Sequence, residues 1–183
     1  YGAFFVVATN LLVVLSHQAG YLKANAHLKN TRLAAVSALL ADVYDKQILS
    51  ILYPRLHQLT KNNEVLANRK LSFHSLNWAA LPGKNLTKDF DLPLSPHCHG
   101  YLDQAQLVES DKNGYQLRGW AVDKATTKAA DIVVLATEGH SVVGIAFAGR
   151  PRADVRQHYP NAIDSGWFGH AKVKPGQTIK AYA

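Results

Sequence analysis

The chain has 183 residues, 48% of them hydrophobic and 18% charged, a balance that excludes global disorder and gives one domain, or one domain with an appendage, as the expectation. The net charge of +7 is unevenly shared, with 8 Lys+Arg against 3 Asp+Glu in residues 1–83 and 12 against 10 in residues 84–183. This basic surplus adjoins an apolar run and forms no basic helix with interleaved aromatics, which suits an anionic membrane surface and argues against nucleic acid as a partner. The single cysteine, Cys98, forbids an intrachain disulfide.

The chain contains no Met and opens inside an apolar run, so it is expected to be a fragment that has lost its N-terminal part. Residues 1–15 (YGAFFVVATNLLVVL) carry no charge. A full membrane span takes about 20 apolar residues, so residues 1–22 read as the end of a transmembrane helix. A buried core segment and a signal-peptide remnant are the alternatives. Tyr21, Lys23, His27, Lys29 and Arg32 follow as interfacial anchors. Residues 23–73 read as an amphipathic helical stem. Within it Leu33, Val36, Leu39 and Leu40 recur at helical spacing. Asp45 is placed to cap a helix over 46–53, which ends before Pro54, and a third helical stretch covers 56–68.

The run YDKQILSILYP at 44–54, followed by Asn68-Arg69-Lys70-Leu71-Ser72-Phe73, resembles the juncture after the last membrane helix in a group of bacterial multi-spanning envelope proteins. The resemblance implies a parent protein of glycosyltransferase type that uses lipid-linked sugars. It also implies that the catalytic carboxylates lie in loops outside this chain, so no catalytic residue is carried over.

Residues 74–99 read as a linker, with Pro82, Gly83, Pro93 and Pro96 and no sustained period. Asn85-Leu86-Thr87 matches a glycosylation acceptor pattern. His97-Cys98-His99 invites a metal reading, which is set aside because adjacent residues rarely all reach one ion and no further ligands stand at ligand spacing. Strands are then expected over 100–109, 115–122, 131–137, 141–148, 167–173 and 177–182. Asn113-Gly114 marks a hairpin, and Pro151 opens a short helix over 151–158. The expected fold class is α+β: N-terminal membrane and amphipathic helices followed by a small antiparallel β-sandwich over 100–183 with one short helix.

Four motifs in order, Gly119-Trp120-Ala121-Val122-Asp123, Val143-Gly144-Ile145-Ala146, Arg150-Pro151-Arg152-Ala153-Asp154-Val155 and Ser165-Gly166-Trp167-Phe168, resemble a β-sandwich domain appended to bacterial glycosyltransferases and other envelope proteins. The match covers residues 100–183. It implies an accessory or carbohydrate-associated role without a defined reaction.

Trp120 and Trp167 are the leading ligand candidates, because sugar rings stack on Trp faces while Asp123, Arg150, Arg152 and Asp154 beside them can bind hydroxyls. Packing in the core is the plainer role for both rings. Asp123 and Asp154 are also the carboxylates that a glycoside hydrolase would need. The simpler readings are a turn-capping Asp123 and an Asp154 at a helix start. No catalytic residue, cofactor or metal is expected. The expected function is a membrane-anchored accessory region that meets the lipid bilayer and interacts with glycan or an envelope protein. The parent would be a glycosyltransferase-like protein of the bacterial inner membrane, with this C-terminal domain in the periplasm. A soluble carbohydrate-binding module is the alternative, and a carboxylate-based glycoside hydrolase the further one.

Overall fold

The computed structural model describes residues 24–89 and 98–183. One antiparallel sheet forms its centre, built from β1 (Cys98–Leu107), β2 (Gly114–Asp123), β3 (Lys128–Ala129), β4 (Ile132–Thr137), β5 (Val142–Arg150), β6 (Gly166–Lys172) and β7 (Ile179–Tyr182). The hydrogen-bonded order is β1-β2-β6-β5-β4-β7, with β3 adding to β2. The helices are α1 (24–40), α2 (Lys46–Leu52), α3 (Leu56–Asn68), α4 (Leu86–Asp89) and α5 (Ala153–His158), with 3₁₀ turns at Ser72–Ser75 and Asn77–Ala80.

The expected fold class is corrected in its β part. The strands do not divide into the two facing sheets of a sandwich but lie in a single sheet that curls toward a barrel. The backbone of Ala183, just past β7, lies near the Cys98 thiol at the start of β1, so the two outermost strands approach each other at one end. Curvature has two visible sources. Register shifts break the ladder between Leu102 and Gln104, between Leu135 and Ala136, and between Ala148 and Arg150, and such bulges bend and twist a strand. The concave side is also lined by small residues, with Gly119, Ala121, Gly144, Ala146, Gly169 and Ala171 on the central strands. Among the described residues no helix is long and apolar enough to cross a membrane. The apolar run 1–15 and the proposed span 1–22 lie outside the described residues.

Two faces of the sheet are covered, which explains why Gly166–Ala171 are all buried. Leu117, Ala121, Val133, Leu135, Ala146, Trp167 and Ala171 form the core inside the curl. Phe168 and His170 point to the opposite side, as alternation along a strand requires. There α1 lies against the sheet through small residues: Ala34, Ala35, Ser37 and Ala38 are buried, more so than Leu33, Val36, Leu39 and Leu40 of the expected apolar stripe. Small side chains let the helix backbone approach the strands closely, and the larger ones fill in along its flank. Asp45 caps α2 as expected, accepting from the Ile48 N–H at 3.1 Å. Leu49 of α2 and Leu56 and Leu59 of α3 pack with Ala35 and Ala38 of α1.

Residues 72–89 fold onto the same side. Trp78 meets Phe147 edge to face at 5.0 Å between centroids. The Gly83 N–H donates to the Val142 carbonyl at 2.9 Å, and the Leu86 N–H to the His140 carbonyl at 2.9 Å. Asn85 of the acceptor pattern caps α4. Its Oδ1 takes the N–H groups of Thr87 and Lys88 at 3.1 and 3.2 Å, and its Nδ2 donates to the Gly139 carbonyl at 2.9 Å.

Candidate ligand cleft beside Trp120

Alternation along β2 sends Gly119 into the curl and Trp120 outward, next to Val122. α5 is carried to that outer side by the segment after β5. Gly149 takes a φ of +121°, a conformation open to glycine, and its N–H donates to the Asp164 carbonyl at 3.0 Å. The Arg152 N–H donates to the Ile163 carbonyl at 3.1 Å. Val155 then packs into a small cluster with Val122 and Ala162, flanked by Trp120 and Tyr159.

The result is an open cleft of about 460 Å³ lined by His99, Trp120, Asp154, Val155, His158 and Tyr159. His99 organises it. Its ring meets Trp120 edge to face at 5.0 Å, and its Nδ1 hydrogen-bonds the Tyr159 hydroxyl at 2.8 Å. Trp120 is half-buried, so one part of the indole is fixed by packing while the rest faces the cleft.

One rim of the cleft is held by Arg152. Its Nε and Nη2 grip both Asp154 oxygens at 2.8 and 2.7 Å, and its Nη1 donates to Asp103 on β1. The bidentate guanidinium beside it holds the Asp154 carboxyl well below the usual carboxylate range, and the same contact raises Arg152. A carboxylate so paired is a poor proton carrier.

The remaining sequence candidates fall elsewhere. Trp167 is 2% exposed, inside the curl on the opposite side of the sheet from Trp120. Asp123 caps the turn after β2, accepting from the Ala125 N–H at 2.8 Å and the Thr126 hydroxyl at 3.0 Å. It does not line the cleft that Asp154 borders. Arg150 stacks on Phe168, with its guanidinium carbon 4.7 Å from the ring centroid. The structure therefore brings Trp120 and Asp154 together, with Arg152 behind Asp154, and separates Trp167 and Asp123 from them.

His99 and Tyr159 were not among the sequence candidates for a ligand site. Nothing local marks them, since they meet only because β1 pairs with β2 and α5 folds back over that pair. His99 stood in the His97-Cys98-His99 run, of which His97 lies outside the described residues. Among the described residues no group of three or more His, Cys, Asp or Glu could hold a metal ion. Burial and Asp123 push the Cys98 thiol up, against an activated nucleophile.

A second polar cluster, also unforeseen, lies under α1. His170 Nε2 meets Asp45 Oδ2 at 2.9 Å, and Gln116 Nε2 donates to the same oxygen at 2.5 Å. Ser37 is close by, but its hydroxyl donates to the Ile145 carbonyl at 2.5 Å and accepts from the His170 backbone N–H at 2.7 Å. Among the described residues His170 Nδ1 has no partner, and the imidazole and the Asp45 carboxylate are 0% and 2% exposed. Serine, histidine and aspartate are thus present without the serine-to-imidazole contact that nucleophilic catalysis needs. They tie the helices to the sheet.

Fold and site together define a curled antiparallel domain with helices packed on its outer side and an aromatic, histidine-lined cleft at one end. No protein-family model, curated protein or solved structure matches the chain. The chemistry of the cleft carries the functional reading.

Proposed function

We propose that the chain is a non-catalytic accessory region that interacts with glycan, and that the sugar stacks on Trp120 in the cleft formed with His99 and Tyr159. The observation that supports it is the half-buried indole, held edge to face by His99, which Tyr159 fixes in turn, beside an open space of about 460 Å³. That volume takes one or two sugar rings. The C–H face of a pyranose suits an indole, and His158, Asp154 and the Tyr159 hydroxyl can meet its hydroxyls. The motif resemblance to domains appended to envelope glycosyltransferases favours the same role at a bacterial envelope. The packing of α1 and α4 on the sheet favours a second version of this reading, a soluble carbohydrate-binding module.

The test is titration of the full chain with a panel of neutral and acidic oligosaccharides, followed by tryptophan fluorescence and calorimetry. Binding is expected to fall at least about tenfold in Trp120→Ala and to persist in Trp167→Phe. Saturable binding that Trp120→Ala leaves unchanged would refute the cleft.

A further inference from the structure

Two arginines share one aromatic ring on the outer side of the sheet. Arg118 on β2 is the cross-strand partner of Phe168 on β6, and Arg150 at the end of β5 pairs with Gly166, two residues before Phe168. Their guanidinium carbons lie 5.4 and 4.7 Å from the Phe168 centroid. The ring is thus flanked by like charges, from β2 on one side and β5 on the other. Neither arginine makes an ion pair with a carboxylate among the described residues. The arrangement costs the protein. Burial first, and then the charge of Arg118, pull Arg150 below its ordinary value. Stacking on an aromatic face offsets part of this, but it leaves the forked N–H donors of both groups with no carboxylate partner among the described residues.

The position relative to the cleft is fixed by register. Trp120 and Arg150 both pair with Gly166, from β2 and from β5. The space over Gly166 is taken by the Arg152 side chain, whose Cγ would lie 3.0 Å from a β-carbon there. Arg118 stands two residues from Trp120 on the same side of β2.

We infer that Arg118 and Arg150 form an anion subsite beside the Trp120 cleft, which selects a glycan carrying a carboxylate, sulfate or phosphate. An acidic group bound there takes the charge-assisted hydrogen bonds that the two guanidinium forks leave open, and it relieves their mutual repulsion. This inference rests on the glycan reading of the cleft for its sugar, but the anion subsite stands on the arginines alone.

The experiment measures binding of a galacturonic acid trimer, a sulfated galactose trimer and the uncharged galactose trimer to the full chain, with inorganic sulfate as a separate probe. The acidic trimers are expected to bind at least about tenfold more tightly than the neutral one. Preference between the carboxylate and sulfate trimers identifies the source of the anion. Arg118→Gln and Arg150→Gln are expected to abolish the acid preference while keeping neutral binding, whereas Trp120→Ala weakens all three trimers. Equal affinity for neutral and acidic trimers overturns the subsite and leaves the cleft standing. Should no trimer bind, the glycan reading fails, and sulfate decides the subsite by itself. Saturable shifts of the Arg118 and Arg150 Nε–H resonances support it, and their absence overturns it. Arg118→Lys, with its charge retained, controls for loss of fold.

Discussion

The ring of Trp167 lies directly over Gly119, its cross-strand partner, in the space that a side chain at 119 would fill. A β-carbon there would also run into the backbone carbonyl of Tyr101 on β1. The two tryptophan motifs of the sequence are therefore one packing unit: the glycine of the first makes room for the tryptophan of the second. Gly119→Ala is expected to destabilise the fold by about 1–3 kcal/mol. Gly139→Ala, where the nearest atom would be 3.9 Å away, serves as the control. Urea midpoints of the two variants give the comparison, and equal midpoints would show that the ring can move aside.

Asp45 sets an acid limit on stability. Burial pushes its carboxyl up, but the hydrogen bonds from His170, Gln116 and the Ile48 N–H outweigh this and hold it below its ordinary value of 3.8. A group depressed in the folded state adds stability above its unfolded value and loses it as pH falls through the folded one. Stability is thus expected to be level above about pH 5 and to drop below pH 3.8. Asp45→Asn, which keeps the shape, should flatten that part of the drop in urea midpoints taken from pH 2.5 to 6. Asp45→Ala strands His170 and Gln116 in a buried site and is expected to cost about 3–5 kcal/mol at neutral pH.

Arg152 links β1 to α5 through Asp103 and Asp154. The contacts are partly exposed, so Arg152→Ala is expected to lower global stability by no more than about 1 kcal/mol. Its local effect should be larger. Hydrogen exchange of Ala153–His158 is expected to speed up, because the helix loses its ion-pair tie to β1 and keeps Val155 as its one buried residue among the described residues. Arg152→Lys should not restore protection, since an ammonium cannot grip both Asp154 oxygens.

Asn85 caps α4 and reaches Gly139 with the same side chain. Asn85→Ala is expected to cost about 1 kcal/mol in thermal unfolding. Asn85→Asp keeps the capping oxygen but loses the donor to Gly139, and should fall between the two. A variant as stable as the parent would show that the cap is not needed.

Most of the strand pattern was legible in the sequence. Alternation and the Asn113-Gly114 turn place β1, β2, β4, β5, β6 and β7 within two residues of their observed limits. Their arrangement was not legible, because period-two alternation is the same in a sandwich wall and a barrel wall. What separates them is curvature, and that depends on bulges and on which glycines face inward. Gly144 shows the difficulty: it looks like any strand glycine until His170 is known to lie against it. The candidate site divides the same way. Trp120 and Asp154 stand out as residue types, whereas His99 and Tyr159 acquire a role only through pairing across 60 residues. The continuous burial of Gly166–Ala171 hid the Asp45–His170 pair, since a helix from far earlier in the chain supplies the second covering layer.

Ser37 has a thermodynamic consequence. Its hydroxyl binds the carbonyl of Ile145 and the N–H of His170, residues that face each other across β5 and β6. A helix side chain is thus a rung of the sheet. Lifting α1 away would leave two buried main-chain groups unsatisfied in the middle of the barrel wall, at about 1–3 kcal/mol each. Helix and strands are therefore expected to melt together, and a chain cut between them would hold two pieces of an unfinished ladder.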